Sequence, residues 1–156
     1  MVELAIADEP RFAASDCDMV RIGATYTFDT VSIFRQAYPQ AQLWWLMGMD
    51  SLLHIHQWQR YQALLQQANF AVAPRGEGRL AAVAPAVQQW LPEALAKAVR
   101  QPQGHDGGRL HLLQTPYWPI SSTEIRAQCG HGRAGVQEVL PAAVAAYIAK
   151  NHLYQA

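Results

Sequence analysis

Apolar residues spaced by three and four alternate along this chain with short continuous apolar runs, the patterns of amphipathic helices and of buried strands respectively. Val2 to Asp8 has the spacing of a two-turn amphipathic helix stopped by Pro10, because the residue before a proline is pushed out of the helical region. Arg11 to Cys17 is predicted as a short strand, and Asp16 to Gly23 as a loop. With Thr27 as cap and Asp29 in the first turn, a helix then buries Phe28, Val31, Phe34 and Tyr38 and ends at Pro39. Leu43 to Met47 is an unbroken apolar run ending at Gly48, the pattern of a strand covered on both faces of a parallel sheet, and it is predicted to be central. Asp50 or Ser51 caps a helix that continues through Trp58, Tyr61, Leu64 and Leu65 to Ala68, and Phe70 to Ala73 forms the next strand.

Pro74 to Gly78 is predicted as loop, and Leu80 to Arg100 as two short helices divided at Pro92. The Gly-rich stretch Gln101 to Gly108 reads as a flexible surface loop, and Arg109 to Thr115 as the last strand. Pro116 to Pro119 makes a rigid turn into a helix opening at Ile120 to Arg126, and Pro141 begins a terminal helix through Ile148. The order α-β-α-β-α-β-α-α-β-α-α is that of an α/β domain with a mostly parallel sheet and helices on both faces. No repeat or low-complexity linker divides it, so residues 1–156 are read as one domain. The order begins on a helix. Sheets wound from β-α-β units begin on a strand, and in nucleotide-binding versions the first strand-to-helix turn holds phosphate.

Composition narrows the function classes. With 156 residues, 51% hydrophobic and 15% charged, the chain can bury about 68–70% of its unfolded surface without staples. Twelve basic residues balance twelve acidic ones, which argues against nucleic acid as the main partner, since displacing counterions from phosphates takes a basic face. Cys17 and Cys129 form no C-x-x-C pair, so neither a disulfide framework nor a thiolate zinc site is indicated. The first residues, with Glu3, Asp8 and Glu9 and no Lys or Arg, lack a leader's charge pattern. The apolar stretch Val139 to Ala149 is well short of the ~20 residues that span a bilayer. A cytoplasmic location without membrane contact is expected.

Two segments could carry chemistry. In Ile120-Ser121-Ser122-Thr123-Glu124-Ile125-Arg126, hydroxyls stand at a helix start with an arginine one turn on. Free N–H groups, the positive end of the helix dipole and a bidentate guanidinium suit a phosphate; equally, Ser121 and Glu124 have the spacing of an ordinary capping box. In Gly48-Met49-Asp50-Ser51 the segment follows a strand's carboxyl end, where open α/β sheets bind ligands, and Asp50 could accept bonds from ribose hydroxyls; Asp and Ser are also the usual helix caps. Trp58 offers a plane for a flat heterocycle or, as commonly, an apolar surface for the core. His54 and His56 would point to opposite sides of a helix, a poor metal pair.

Taken together, Thr25-Tyr26-Thr27 with Asp29-Thr30, Leu46 to Ser51, Trp58, Ile120-Ser-Ser-Thr-x-Ile-Arg126, and a closing Tyr147-Ile148 with His152-Leu153-Tyr154 resemble the landmarks of nicotinate-nucleotide adenylyltransferases, in order and over essentially the whole chain. The resemblance implies a Rossmann-like nucleotidyltransferase. It would condense nicotinate mononucleotide with ATP, accompanied by magnesium, to deamido-NAD and pyrophosphate in NAD biosynthesis. It implies Thr27 and the backbone around Trp58 at the pyridine carboxylate with the Trp58 ring on the nicotinate, and Gly48 and Asp50 along the ribose. Ile120, Ser121, Ser122 and Thr123 would lie at adenine and phosphates, with Arg126 on the triphosphate as the catalytic cation.

The family's opening strand, its G-G-x-F-D-P-x-H-x-G-H loop and a second strand are not among these 156 residues, and Met1 to Ala5 matches an internal helix of the family. The chain is therefore expected to be an N-terminally shortened form, with its β-α-β opening missing, of low activity, with uncovered apolar surface that favours self-association. The competing expectations are an adenylyltransferase for nicotinamide mononucleotide or phosphopantetheine, and a non-catalytic nucleotide-binding or interaction module of the same fold.

Overall fold

A computed structural model describes residues 1–74, 80–98, 106–116, 120–130 and 139–154. It divides into two compact units, Cys17–Tyr117 and Met1–Asp16 with Trp118–Ala156.

The first unit is built on three parallel strands, β1 (Trp44–Gly48), β2 (Asn69–Ala73) and β3 (Leu110–Leu112), side by side in that order. Trp45 stands opposite Phe70 and Phe70 opposite Leu110. In β2, Asn69, Phe70 and Val72 are fully buried, as an inner strand of a parallel sheet requires. Helices α2 (Thr27–Ala37), α3 (Met49–His54), α4 (Tyr61–Gln67), α5 (Pro85–Gln88) and α6 (Leu91–Ala98) supply the rest of the unit. Leu52, Ile55, Leu64, Val83 and Val87 close the core with Phe28 and Val31.

The strand expected to be central is not. Among the described residues β1 is an edge strand, and alternate side chains Trp44 and Leu46 are 43% and 68% exposed, because nothing described covers that face. The strand expected over Arg11 to Cys17 is absent: these residues have no strand pairing and Phe12 is 65% exposed. Thr27 is the first helical residue of α2, and Tyr26, in an extended conformation, is its cap. Tyr38 is exposed and stacks on Phe34 instead of entering the core.

The helix expected from Asp50 to Ala68 is broken. Gly48, not Asp50 or Ser51, caps α3; a 3-10 turn follows at Ile55–Gln57, Trp58 is extended, and Arg60 adopts the left-handed conformation before α4 begins. The division expected at Pro92 falls earlier, at Gln89 and Trp90, with Pro92 in the first turn of α6, where a missing N–H costs no helical bond.

Of the loop expected over Gln101 to Gly108, residues 101–105 lie outside the described residues, as do 75–78 of the loop after β2 and 117–119 of the expected turn. The described end is tightly fitted. A Cβ on Gly107 would stand 2.2 Å from the carbonyl oxygen of Gln66, and Gly108, with φ +86°, donates its N–H to Ala68. The glycines let the chain enter β3 beneath the end of α4.

In the second unit α1 (Val2–Ile6) packs against α8 (Ala142–Lys150), whose Val144 and Ile148 are buried and whose cap is Pro141; α7 (Ser122–Gly130) completes its described elements.

Candidate functional site

In the first unit the expected pyridine residues lie on two elements that are tied together. The loop before α2 is fixed by a triangle: Arg21 donates to the Asp18 carboxylate at 2.5 Å, Thr30 donates to the same oxygen at 2.5 Å, and Arg21 also donates to Thr30 Oγ1 at 3.1 Å. Thr30 is buried, so the triangle holds residues 17–26 against the first turn of α2 and sets where Thr27 starts the helix. The N–H groups of Asp29 and Thr30 are both directed to the Tyr26 carbonyl, leaving the earlier N–H groups of the helix without an intrahelical acceptor.

Helix α4 runs alongside α2 and is pinned to it at both ends. Arg35 donates to the Gln67 carbonyl at 2.8 Å and Ser32 donates to Gln67 Oε1 at 3.2 Å. At the other end the Arg60 guanidinium lies over the Phe28 ring, 3.9 Å from its centroid. Trp58, two residues before Arg60, is half-buried, and its N–H donates to the Ile55 carbonyl at 2.9 Å. The Thr27 and Trp58 segments are thus neighbours through Phe28 and Arg60. Gly48 and Asp50 stand at the carboxyl end of β1; Gly48 is half-buried, and Asp50, in the first turn of α3, is exposed.

In the second unit the capping-box reading of Ile120 to Arg126 is the one seen directly. The capping box is formed: the Ser121 N–H and hydroxyl donate to the Glu124 carboxylate at 2.9 and 2.7 Å, and the Glu124 N–H donates to Ser121 Oγ at 3.1 Å. The Ser121 hydroxyl, and then its N–H, hold the Glu124 carboxyl below the ordinary glutamate range. A depressed folded pKa means that the contribution of this cap is complete above the unfolded glutamate pKa and is lost as pH falls through the lower folded value. Ile120 and Ser121 are half-buried, whereas Ser122, Thr123 and Arg126 are exposed.

Nothing in the sequence singles out Asp18, Arg21 or Arg60 for the site, and Phe28 stands out there only as a core residue. Opposite charges three residues apart are too common to single out Asp18 and Arg21, and a left-handed arginine has no signature in a segment with helical spacing. Among the described residues no three His, Cys, Asp or Glu side chains gather at metal-binding distance, so these residues do not fit a protein-held metal ion.

Residues 1–128 match the cytidylyltransferase-like family model. The chain is 47% identical to a probable nicotinate-nucleotide adenylyltransferase of Neisseria meningitidis serogroup A, over 99% of this chain and 71% of that protein. It is 35% identical to one of Cronobacter sakazakii at the same coverage. Its fold is shared, with a TM-score of 0.59 at 18% identity, by a Plasmodium falciparum nicotinic acid mononucleotide adenylyltransferase complexed with APC, over 85% of this chain and 60% of that one. The architecture is accordingly a Rossmann-like α/β fold. No described helix is long and apolar enough to cross a membrane. With its motifs in order and these relatives matched along its length, the chain belongs to the nicotinate-nucleotide adenylyltransferase family of nucleotidyltransferases.

Proposed function

We propose that this chain carries the nicotinate mononucleotide site and part of the ATP site of an enzyme that makes deamido-NAD and pyrophosphate in NAD biosynthesis, in the cytoplasm where these soluble metabolites are found. The observation that carries the reading is the pinning of the Trp58 turn to the first turn of α2 through Arg60 and Phe28, which makes neighbours of the two segments assigned to the pyridine. Thr27 and the backbone at Trp58 bind its carboxylate, the Trp58 ring covers its face, and Gly48 and Asp50 meet the ribose. Ile120, Ser121, Ser122 and Thr123 bind ATP, with Arg126 on its phosphates. The uncapped N–H groups at the start of α2 suit a carboxylate, since the helix dipole is positive there.

In the reaction a phosphate oxygen of the mononucleotide bonds to the α-phosphorus of ATP. The bond from that phosphorus to the bridging oxygen breaks, and pyrophosphate leaves with the electron pair. A monoester phosphate is already ionised near neutral pH, its second pKa being about 6, so no side chain need act as general base. The protein's part is to hold the two phosphates in line and to neutralise their charge, for which Arg126 is the assigned cation. Magnesium would come with the ATP phosphates, on which it offsets negative charge, and not on a cage of protein ligands.

Titration of the purified chain with nicotinate mononucleotide, followed by tryptophan fluorescence, tests the reading. Saturable quenching is expected, weakened about tenfold or more in Trp58→Ala by loss of the stacked ring. Nicotinamide mononucleotide and phosphopantetheine should bind less well. Equal binding of all three would favour a rival substrate, and no saturable binding would favour a non-catalytic module.

The same proposal includes self-association through the outer edge of β1, where Trp44 and Leu46 lie exposed beside backbone that pairs with no strand among the described residues. Sedimentation should show mass rising with concentration, and Leu46→Lys should restore the monomer. A wild-type chain that stays monomeric throughout would remove this part of the proposal.

A further inference from the structure

We infer that Arg60 is a positioning residue for the pyridine subsite: its guanidinium, seated on the Phe28 ring, holds the Trp58 turn at a fixed distance from the first turn of α2. The inference rests on the assignment of Thr27 and Trp58 to the mononucleotide, but its physical core does not. The helical path from α3 to α4 is interrupted at the extended Trp58 and again at Arg60, which has φ 53° and ψ 37° and directly precedes α4. A non-glycine residue in the left-handed region is uncommon and persists only where its surroundings over-determine it. Here two contacts do so. The Arg60 carbonyl accepts the Leu64 N–H at 3.0 Å, which starts α4, and its side chain reaches back over Phe28 at 3.9 Å.

Phe28 is 5% exposed and follows Thr27 directly. Its ring is therefore a fixed platform, and whatever sits on it is referenced to the start of α2. The Arg60 side chain is exposed on its outer side, so it contributes little to burying the core. The Arg21 guanidinium, which also reaches α2, is engaged with Asp18 and Thr30, so it leaves the aromatic face to Arg60. The other link between α2 and α4, through Gln67, lies at the far end of α4 and constrains the Trp58 turn only through the length of that helix.

The test compares wild type with Arg60→Gln and Arg60→Lys. Without ligand, amide hydrogen exchange in residues 55–61 and 26–31 should speed up together in Arg60→Gln, by roughly three- to tenfold, the range of one partly exposed cation on an aromatic face, and stay near wild type in Arg60→Lys, which keeps a cation. With ligand, Arg60→Gln should weaken nicotinate mononucleotide by a similar factor, while Arg60→Lys stays within about twofold. Melting temperatures near wild type are expected for both. Unchanged exchange in Arg60→Gln, or exchange in Arg60→Lys as fast as in Arg60→Gln, overturns the clamp. If wild type binds no mononucleotide, the functional assignment fails while the exchange measurement still decides the clamp. If exchange changes and affinity does not, the clamp stands and its role in the subsite is overturned.

Discussion

Supplied with ATP, magnesium and nicotinate mononucleotide, the 156-residue polypeptide is expected to release pyrophosphate at least about a hundredfold more slowly than the Neisseria meningitidis relative that it matches at 47% identity. This chain spans 71% of the length of that relative. The resemblance assigns the contacts on the ATP phosphates to the histidines of an H-x-G-H loop, and no H-x-G-H sequence occurs in these residues. In phosphoryl transfer, where positioning and charge neutralisation carry nearly all of the catalysis, removing one preorganised donor costs on the order of a hundred- to a thousandfold. Arg126 cannot replace such a pair, since a single exposed guanidinium neutralises charge without fixing the direction of the leaving group.

Mononucleotide binding should survive, because the residues proposed for it, Thr27, Gly48, Asp50 and Trp58, are all present; the loss should fall on kcat and on ATP affinity. A continuous pyrophosphate assay on both proteins decides the matter. Rates within tenfold of each other would mean that the donors assigned to the H-x-G-H loop are dispensable or are supplied by other residues.

The elements that could be read from the sequence were those whose signal is local. The unbroken apolar run of β1, the helical spacing of Phe28 and Val31 on α2, and Ser121 with Glu124 at the start of α7 each state their own conformation. What could not be read depends on partners far away in sequence. The apolar run Leu43 to Met47 has the composition of a strand covered on both faces, but cover comes from neighbouring strands and helices, and Trp44 and Leu46 have none among the described residues. Gly107 looks like loop by composition; its reason for being glycine is the Gln66 carbonyl, which sequence spacing does not reveal.

The same distinction holds at the site. Trp58 and Asp50 stand out as residue types in a motif, whereas Arg60 and Phe28 acquire meaning only from each other. Local propensity could not foresee the break between α3 and α4, because Ile55 to Tyr61 keeps helical spacing of apolar residues, and it is the extended Trp58 together with the left-handed Arg60 that turns the chain. That break is what makes Trp58 a turn residue and not one more member of a buried helical face.

Phe70→Ala should destabilise the chain by about 3–5 kcal/mol, a large share of the 5–15 kcal/mol typical of a domain. Phe70 is fully buried on β2, paired with Trp45 on one side and Leu110 on the other, and it meets Trp90 edge to face at a centroid distance of 5.8 Å. Truncation leaves a cavity between the face of the sheet and Trp90, and the sheet wall, held by backbone bonds such as Phe70 N–H to the Arg109 carbonyl, resists collapsing into it. Phe70→Leu keeps most of the volume but loses the aromatic pair, and about 1–2 kcal/mol is expected for it. Urea unfolding at fixed protein concentration reads both; a Phe70→Ala unfolding free energy within about 1 kcal/mol of wild type would mean that β2 is not the packing centre. Nicotinate mononucleotide at about a hundred times its Kd should return about 2.7 kcal/mol to Phe70→Ala as to wild type, since the cavity lies in the core while Asp50 is exposed. Equal rescue would assign the defect to the core alone. Rescue of the wild type but not of Phe70→Ala would mean instead that the packing of β2 sets the position of Gly48 and Asp50 through its pairing with β1, so that the core and the mononucleotide site are one cooperative structure.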